Sequence, residues 1–202
     1  MIFSFILLGT LIFSVLFPSP TITVGNTNDW NPQKEATEKP EVWNFILDLD
    51  ANGKNEEVVI KSYPGFPGNQ NTEVYINSGS KPVLTEVGSF YTINTHKMDD
   101  SGRYITELQL QTGQSLNTLF YTYRKGKLEM VPISTEKPSS WHGIISRNSP
   151  KLGDINNDGV LELLVHYNFL YDPTRRVEIY RFDGKTFTMV EEYEEPNSDR
   201  YL

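Results

Sequence analysis

Gly153-Asp154-Ile155-Asn156-Asn157-Asp158-Gly159-Val160-Leu161-Glu162-Leu163-Leu164-Val165 decides the reading of this chain. With Asp154 as position 1, side-chain oxygens fall at positions 1, 3, 5 and 9 (Asp154, Asn156, Asp158, Glu162). Gly159 stands at position 6, and Val160 offers a backbone carbonyl at position 7. The same spacing occurs earlier in Asp48, Asp50, Asn52 and Glu56, with Gly53 at position 6 and the Lys54 carbonyl at position 7. Alternate residues of a tight loop can turn their oxygens inward, which is what Ca²⁺ needs to collect about six to eight oxygen ligands. Glycine at position 6 permits the left-handed turn that closes the loop. Asp-Asn-Gly strings also make ordinary hairpin turns, because those residues tolerate positive φ and hydrogen-bond their own backbone. A plain turn, however, has no need of the acid that recurs at position 9.

The flanks separate this loop from an EF-hand, which requires a bidentate Glu at position 12 and a helix on each side. Position 12 is Val59 in the first loop and Val165 in the second. Glu57-Val58-Val59-Ile60 and Leu163-Leu164-Val165-His166-Tyr167 leave the loops as β-branched, apolar and aromatic runs, and Val42 to Leu47 enters the first loop in the same style. Each loop is therefore expected to join two strands.

These residues resemble the calcium-loop motif of FG-GAP/VCBS repeats, over 153–165 and, more loosely, over 47–56. Such repeats build the blades of integrin α-type β-propellers and occur in many extracellular bacterial proteins. The resemblance implies Ca²⁺ held by loops within β-blades. It does not imply one biological task, since the repeat serves many.

Weak internal repetition supports blade-like units. A second hairpin occurs three times, around Gly79, Gly126 and Gly184, at spacings of 47 and 58 residues, and the two acidic loops begin 106 residues apart. That suits about three units of roughly 50 residues, the size of four-stranded blades. The expected fold is all-β, made of antiparallel four-stranded propeller-blade-like repeats. Since known rings have about four to eight blades, three units imply an open or incomplete propeller, or a ring completed by more than one chain. The middle unit should carry a loop near Asp99-Asp100-Ser101-Gly102. Aligned on Gly102, Lys97 takes position 1 and Ile105 position 9, so that loop is expected to hold no metal.

Residues 1–17 contain no charged side chain. They read as a signal peptide or a membrane anchor, slightly short of a full span at about 25 Å as a helix. Residues 18–40, with Pro at 18, 20, 32 and 40, read as a polar linker, residues 41–193 as the FG-GAP/VCBS-like β domain, and 194–202 as a polar tail. The expected location is secreted or extracytoplasmic, with any membrane contact through the N-terminal segment. With no Cys, stability would come from the core and from bound Ca²⁺.

A net charge of −8, from 26 acidic and 18 basic residues, argues against a nucleic-acid partner. Catalytic signatures such as G-x-S-x-G or H-E-x-x-H are absent. The three histidines, His96, His142 and His166, read as partnered strand or turn residues. Tyr121-Tyr123 and Tyr167-Phe169-Tyr171 read as aromatics packed across a sheet, with a flat ligand-binding face as the alternative. The expected function is a non-enzymatic surface module for an unknown protein or carbohydrate partner. The alternative is a Ca²⁺-stabilised extracellular enzyme or enzyme accessory, acting on polysaccharide.

Overall fold

The computed structural model describes residues 39–65, 70–98, 103–134, 143–168 and 172–197. The expectations for residues 1–17, most of 18–40, Asp99–Gly102, His142, Phe169 and Tyr171 fall outside those residues. Among the described residues there are fourteen strands and no helix. The first sheet is β1 (Glu41–Leu47), β2 (Glu56–Tyr63), β3 (Asn71–Ile76) and β4 (Leu84–Val87), in that order. The second holds β5 (Ser89–Lys97), β6 (Tyr104–Thr112) and β7 (Ser115–Arg124). Along the far edge of β7, β8 (Lys127–Met130) pairs with residues 121–124 and β10 (Ile144–Ser146) with residues 116–118. The third is β11 (Lys151–Gly153), β12 (Glu162–Tyr167), β13 (Thr174–Phe182) and β14 (Phe187–Pro196), with β9 (Ile133–Ser134) added parallel to β14. The fold is all-β and, among the described residues, forms three blade-like sheets, none closed into a barrel.

Period-two patterning explains the stacking. On β2, Val58, Ile60 and Ser62 are buried and alternate with more exposed neighbours, as in a sheet with one covered face. The middle sheet differs, since β6 is buried continuously from Ile105 to Leu110 and β7 from Leu116 to Tyr121. Leu108, Leu110, Leu119, Tyr121 and Tyr123 pack with the first sheet's Val58, Ile60 and Val74. The opposite face sends Ile105 and Phe120 against Leu163, Val165, Tyr180 and Phe187 of the third sheet. The middle sheet is thus the filling of a three-layer stack, which accounts for its burial on both faces, the polar Glu107, Gln109 and Thr118 included. Gly143 sits where β10 closes on β7: at φ 104°, an added Cβ would lie 2.5 Å from the Thr118 carbonyl oxygen. Only glycine suits that approach.

The three second hairpins form as expected, at β3–β4, β7–β8 and β13–β14. Lys125 and Gly126, at φ 49° and 80°, make the two-residue turn that matches strand twist. Two expectations need correction. Strand register pairs Lys97 with Tyr104, as Leu47 pairs with Glu56 and Gly153 with Glu162. The middle connection therefore runs only from Met98 to Arg103, two residues shorter than 48–55 and 154–161, and neither Lys97 nor Ile105 holds the loop position that alignment on Gly102 assigned. The β14 strand also continues beyond Tyr193 to Pro196. Glu195 is held there by Arg175 at 2.6 Å, and the Asn197 N–H donates to the Pro173 carbonyl at 3.0 Å.

Candidate metal centre

The two acidic loops occupy equivalent places, β1–β2 in the first sheet and β11–β12 in the third, and repeat one hydrogen-bond scheme. Asp48 accepts from the N–H of Asn52 (3.2 Å) and Gly53 (3.0 Å), as Asp154 accepts from Asp158 and Gly159, both at 2.9 Å. Asn52 Oδ1 accepts from Lys54 N–H at 2.7 Å, as Asp158 Oδ1 accepts from Val160 N–H at 3.0 Å. Glu56 and Glu162 reach back to the N–H of Leu49 and Ile155, each at 2.9 Å. The two glutamates are 7% and 3% exposed, an unusual depth for carboxylates and one that fixes position 9 against the sheet. Position 4 adopts positive φ in both loops, 58° at Ala51 and 61° at Asn157. For alanine that conformation costs about 1–2 kcal/mol; the repeated acidic spacing gave no signal of it.

The loops differ in their side chains. In the first, Asp48, Asp50 and Glu56 bring carboxylate oxygens within 4.8 Å of one another. Asp50 Oδ1 is buried and has no hydrogen-bond partner, which leaves an acceptor free in a crowded acidic loop. Leu49, at position 2, is 1% exposed and plugs the loop into the core, whereas Ile155 at the same position is 42% exposed. Tyr123 borders this loop. Burial, then the charges of Glu56 and Asp50, push its phenol above the usual value.

In the second loop, the Asn156 amide donates to Asp158 Oδ2 and Glu162 Oε1, both at 3.2 Å. Arg181, from β13, forms an ion pair with Asp158 Oδ2. Burial pulls the Asp158 carboxyl upward, but the Val160 N–H, the Asn156 amide and the Arg181 guanidinium together hold it below its ordinary value. Arg181 lies 23 residues from Asp158, and no local motif pointed to it.

Two clefts adjoin Met98. One, of about 480 Å³, runs along Asp154, Gly159 and Val160 and is faced by His96. His96 Nε2 lies 2.7 Å from Glu107 Oε2, and Gln109 donates to the other Glu107 oxygen at 2.6 Å. The other, of about 260 Å³, lies beside Asp50 and is edged by Arg103, Tyr123, Arg124 and Lys125. Tyr121 and Tyr123 are buried in the first core cluster, so that pair packs rather than presenting a flat exposed face.

The fold and site define an all-β protein of stacked antiparallel sheets with two matched acidic loops. No family model, curated protein or solved structure matches the chain.

Proposed function

We propose that this chain is an exported calcium-binding β-repeat domain of FG-GAP/VCBS type, acting as a non-enzymatic interaction module. Ca²⁺ would be held by Asp48, Asp50, Asn52, Glu56 and the Lys54 carbonyl, and by Asp154, Asn156, Asp158, Glu162 and the Val160 carbonyl. The ion would neutralise crowded carboxylates and stiffen the connection between the first two strands of a blade. The observation that carries this reading is the first loop, where three carboxylates converge and a buried Asp50 oxygen has no partner. Residues 1–17 would direct export or stay as an anchor, and the partner would be a protein or carbohydrate at the cell surface.

Calorimetric titration with CaCl2 tests the metal. Binding at sub-millimolar to millimolar concentration is expected, as for extracellular calcium modules of about 10⁻⁴–10⁻³ M affinity. The tighter component should be lost in Asp48→Ala. Absence of any Ca²⁺ heat at millimolar concentration would overturn the reading.

One observation favours the enzymatic alternative. His96 faces the larger cleft and is oriented by the buried Glu107, an arrangement that positions an imidazole for proton transfer. A His96→Ala variant that keeps its fold but loses a polysaccharide-cleaving activity would support that reading.

A further inference from the structure

We propose that Arg181 is a built-in counter-cation of the second loop, so that Ca²⁺ fills the first loop before the second. This rests on the calcium reading above and adds to it an order of filling and the residue that sets it.

Four backbone N–H bonds recur in both loops, and the second adds one from Asp158 N–H to Asn156 Oδ1 at 2.9 Å where Asp50 Oδ1 has no partner, so the loops differ in what surrounds their side chains. Both loops carry three carboxylates, at positions 1, 3 and 9 in the first and 1, 5 and 9 in the second. Strand pairing shows what stands opposite each position-9 glutamate. Glu162 is paired with Arg181 across β12–β13. Continuing the β2–β3 register past Val58 and Ile76 sets Ser78 opposite Glu56. No basic side chain is set there, and the Ser78 hydroxyl turns instead to Glu57 at 2.7 Å, whereas the second loop meets a guanidinium.

The guanidinium engages Asp158 Oδ2, while the other oxygen of that carboxylate accepts the Val160 N–H. A cation entering the second loop must therefore displace Arg181 to use Asp158 fully, and it meets a positive charge at close range until it does. In the first loop Lys54 pairs with no carboxylate among the described residues, and the basic side chains nearest it, Arg103, Arg124 and Lys125, edge the cleft beside Asp50. Arg181 and Asp158 are 44% and 37% exposed, so the arginine can swing into water. An exposed pair of this kind weakens competing binding without abolishing it. The second loop would respond to higher Ca²⁺ than the first, giving a two-step response from two similar motifs.

The test is calorimetric titration of the full chain with CaCl2, comparing wild type, Arg181→Gln, Arg181→Lys and Asp48→Ala. Two steps are expected in wild type, with the tighter one missing in Asp48→Ala. Arg181→Gln should tighten the weaker step about two- to five-fold, while Arg181→Lys, which keeps the charge, should leave it within about two-fold of wild type. If Asp48→Ala does not fold, the Gln and Lys variants still report on the weaker step. A normal tight step with a weaker step unmoved or loosened by Arg181→Gln would overturn this inference and leave the calcium reading standing. No Ca²⁺ binding in any variant would overturn both.

Discussion

Glu56→Gln separates two roles of one carboxylate, because it removes a charge without removing volume. Asp48, Asp50 and Glu56 hold oxygens within 4.8 Å of one another. At that separation each pair repels by about 0.9 kcal/mol in bulk water and about 3.5 kcal/mol at an effective dielectric of 20. Neutralising Glu56 relieves two of the three pairs. Against that gain, the bond from Leu49 N–H becomes a neutral one, a loss of about 1 kcal/mol. The new amide N–H group has the Asp48 and Asp50 oxygens beside it to accept its bonds. The calcium-free variant should therefore be about 1–2 kcal/mol more stable than wild type and melt roughly 2–8 °C higher. Calcium reverses the order. A site of about 0.1 mM affinity adds about 1.4 kcal/mol at 1 mM free Ca²⁺ and about 2.7 kcal/mol at 10 mM. Only wild type gains this at the first loop. Melting curves of the two proteins in EDTA and at rising free Ca²⁺ should cross between about 0.4 and 3 mM. If Glu56→Gln melts below wild type in EDTA and gains as much from Ca²⁺, the carboxylate serves only its bond to Leu49 and the metal argument for this loop fails.

Asp99→Ala and Asp100→Ala should leave the calorimetric Ca²⁺ stoichiometry unchanged, because the middle connection is too short for the ligand spacing. Phe187→Ala should lower stability by about 3–5 kcal/mol in thermal melts. Phe187 is 0% exposed, and its ring lies 4.9 Å from Phe182 and 5.2 Å from Phe120. Gly143→Ala should cost about 2 kcal/mol or more in the same assay, from its φ of 104° and the 2.5 Å approach to the Thr118 oxygen. Burial holds the Tyr121 and Tyr180 phenols above the ordinary value of 10.0. Since these folded-state values are raised, their contribution is fully present below pH 10 and is lost as pH rises through them. Absorbance near 295 nm should show these two phenols ionising only together with loss of the β circular dichroism signal.

Much of this fold is legible in the sequence because its strands, turns and acidic loops are local. The β-branched run Val58-Val59-Ile60 marks a strand, and Lys125-Gly126 fits the positive φ values of a tight hairpin. The acidic loops are legible for the same reason: their ligand types lie within nine residues of chain. Chain spacing could not show which segments meet across greater distances. Pairing of Lys97 with Tyr104 shortened the middle connection, and packing placed β10 beside β7 and β9 beside β14. The difference between the acidic loops is also tertiary. Leu49 is plugged into the core while Ile155 is exposed, and Arg181 reaches Asp158 from a neighbouring strand. Local sequence by itself determined the backbone turns and the carboxylate spacing, since those depend on residues adjacent in the chain. Only the tertiary structure decided which charges stand beside each carboxylate, because strand pairing and sheet stacking, not spacing along the chain, bring those groups together.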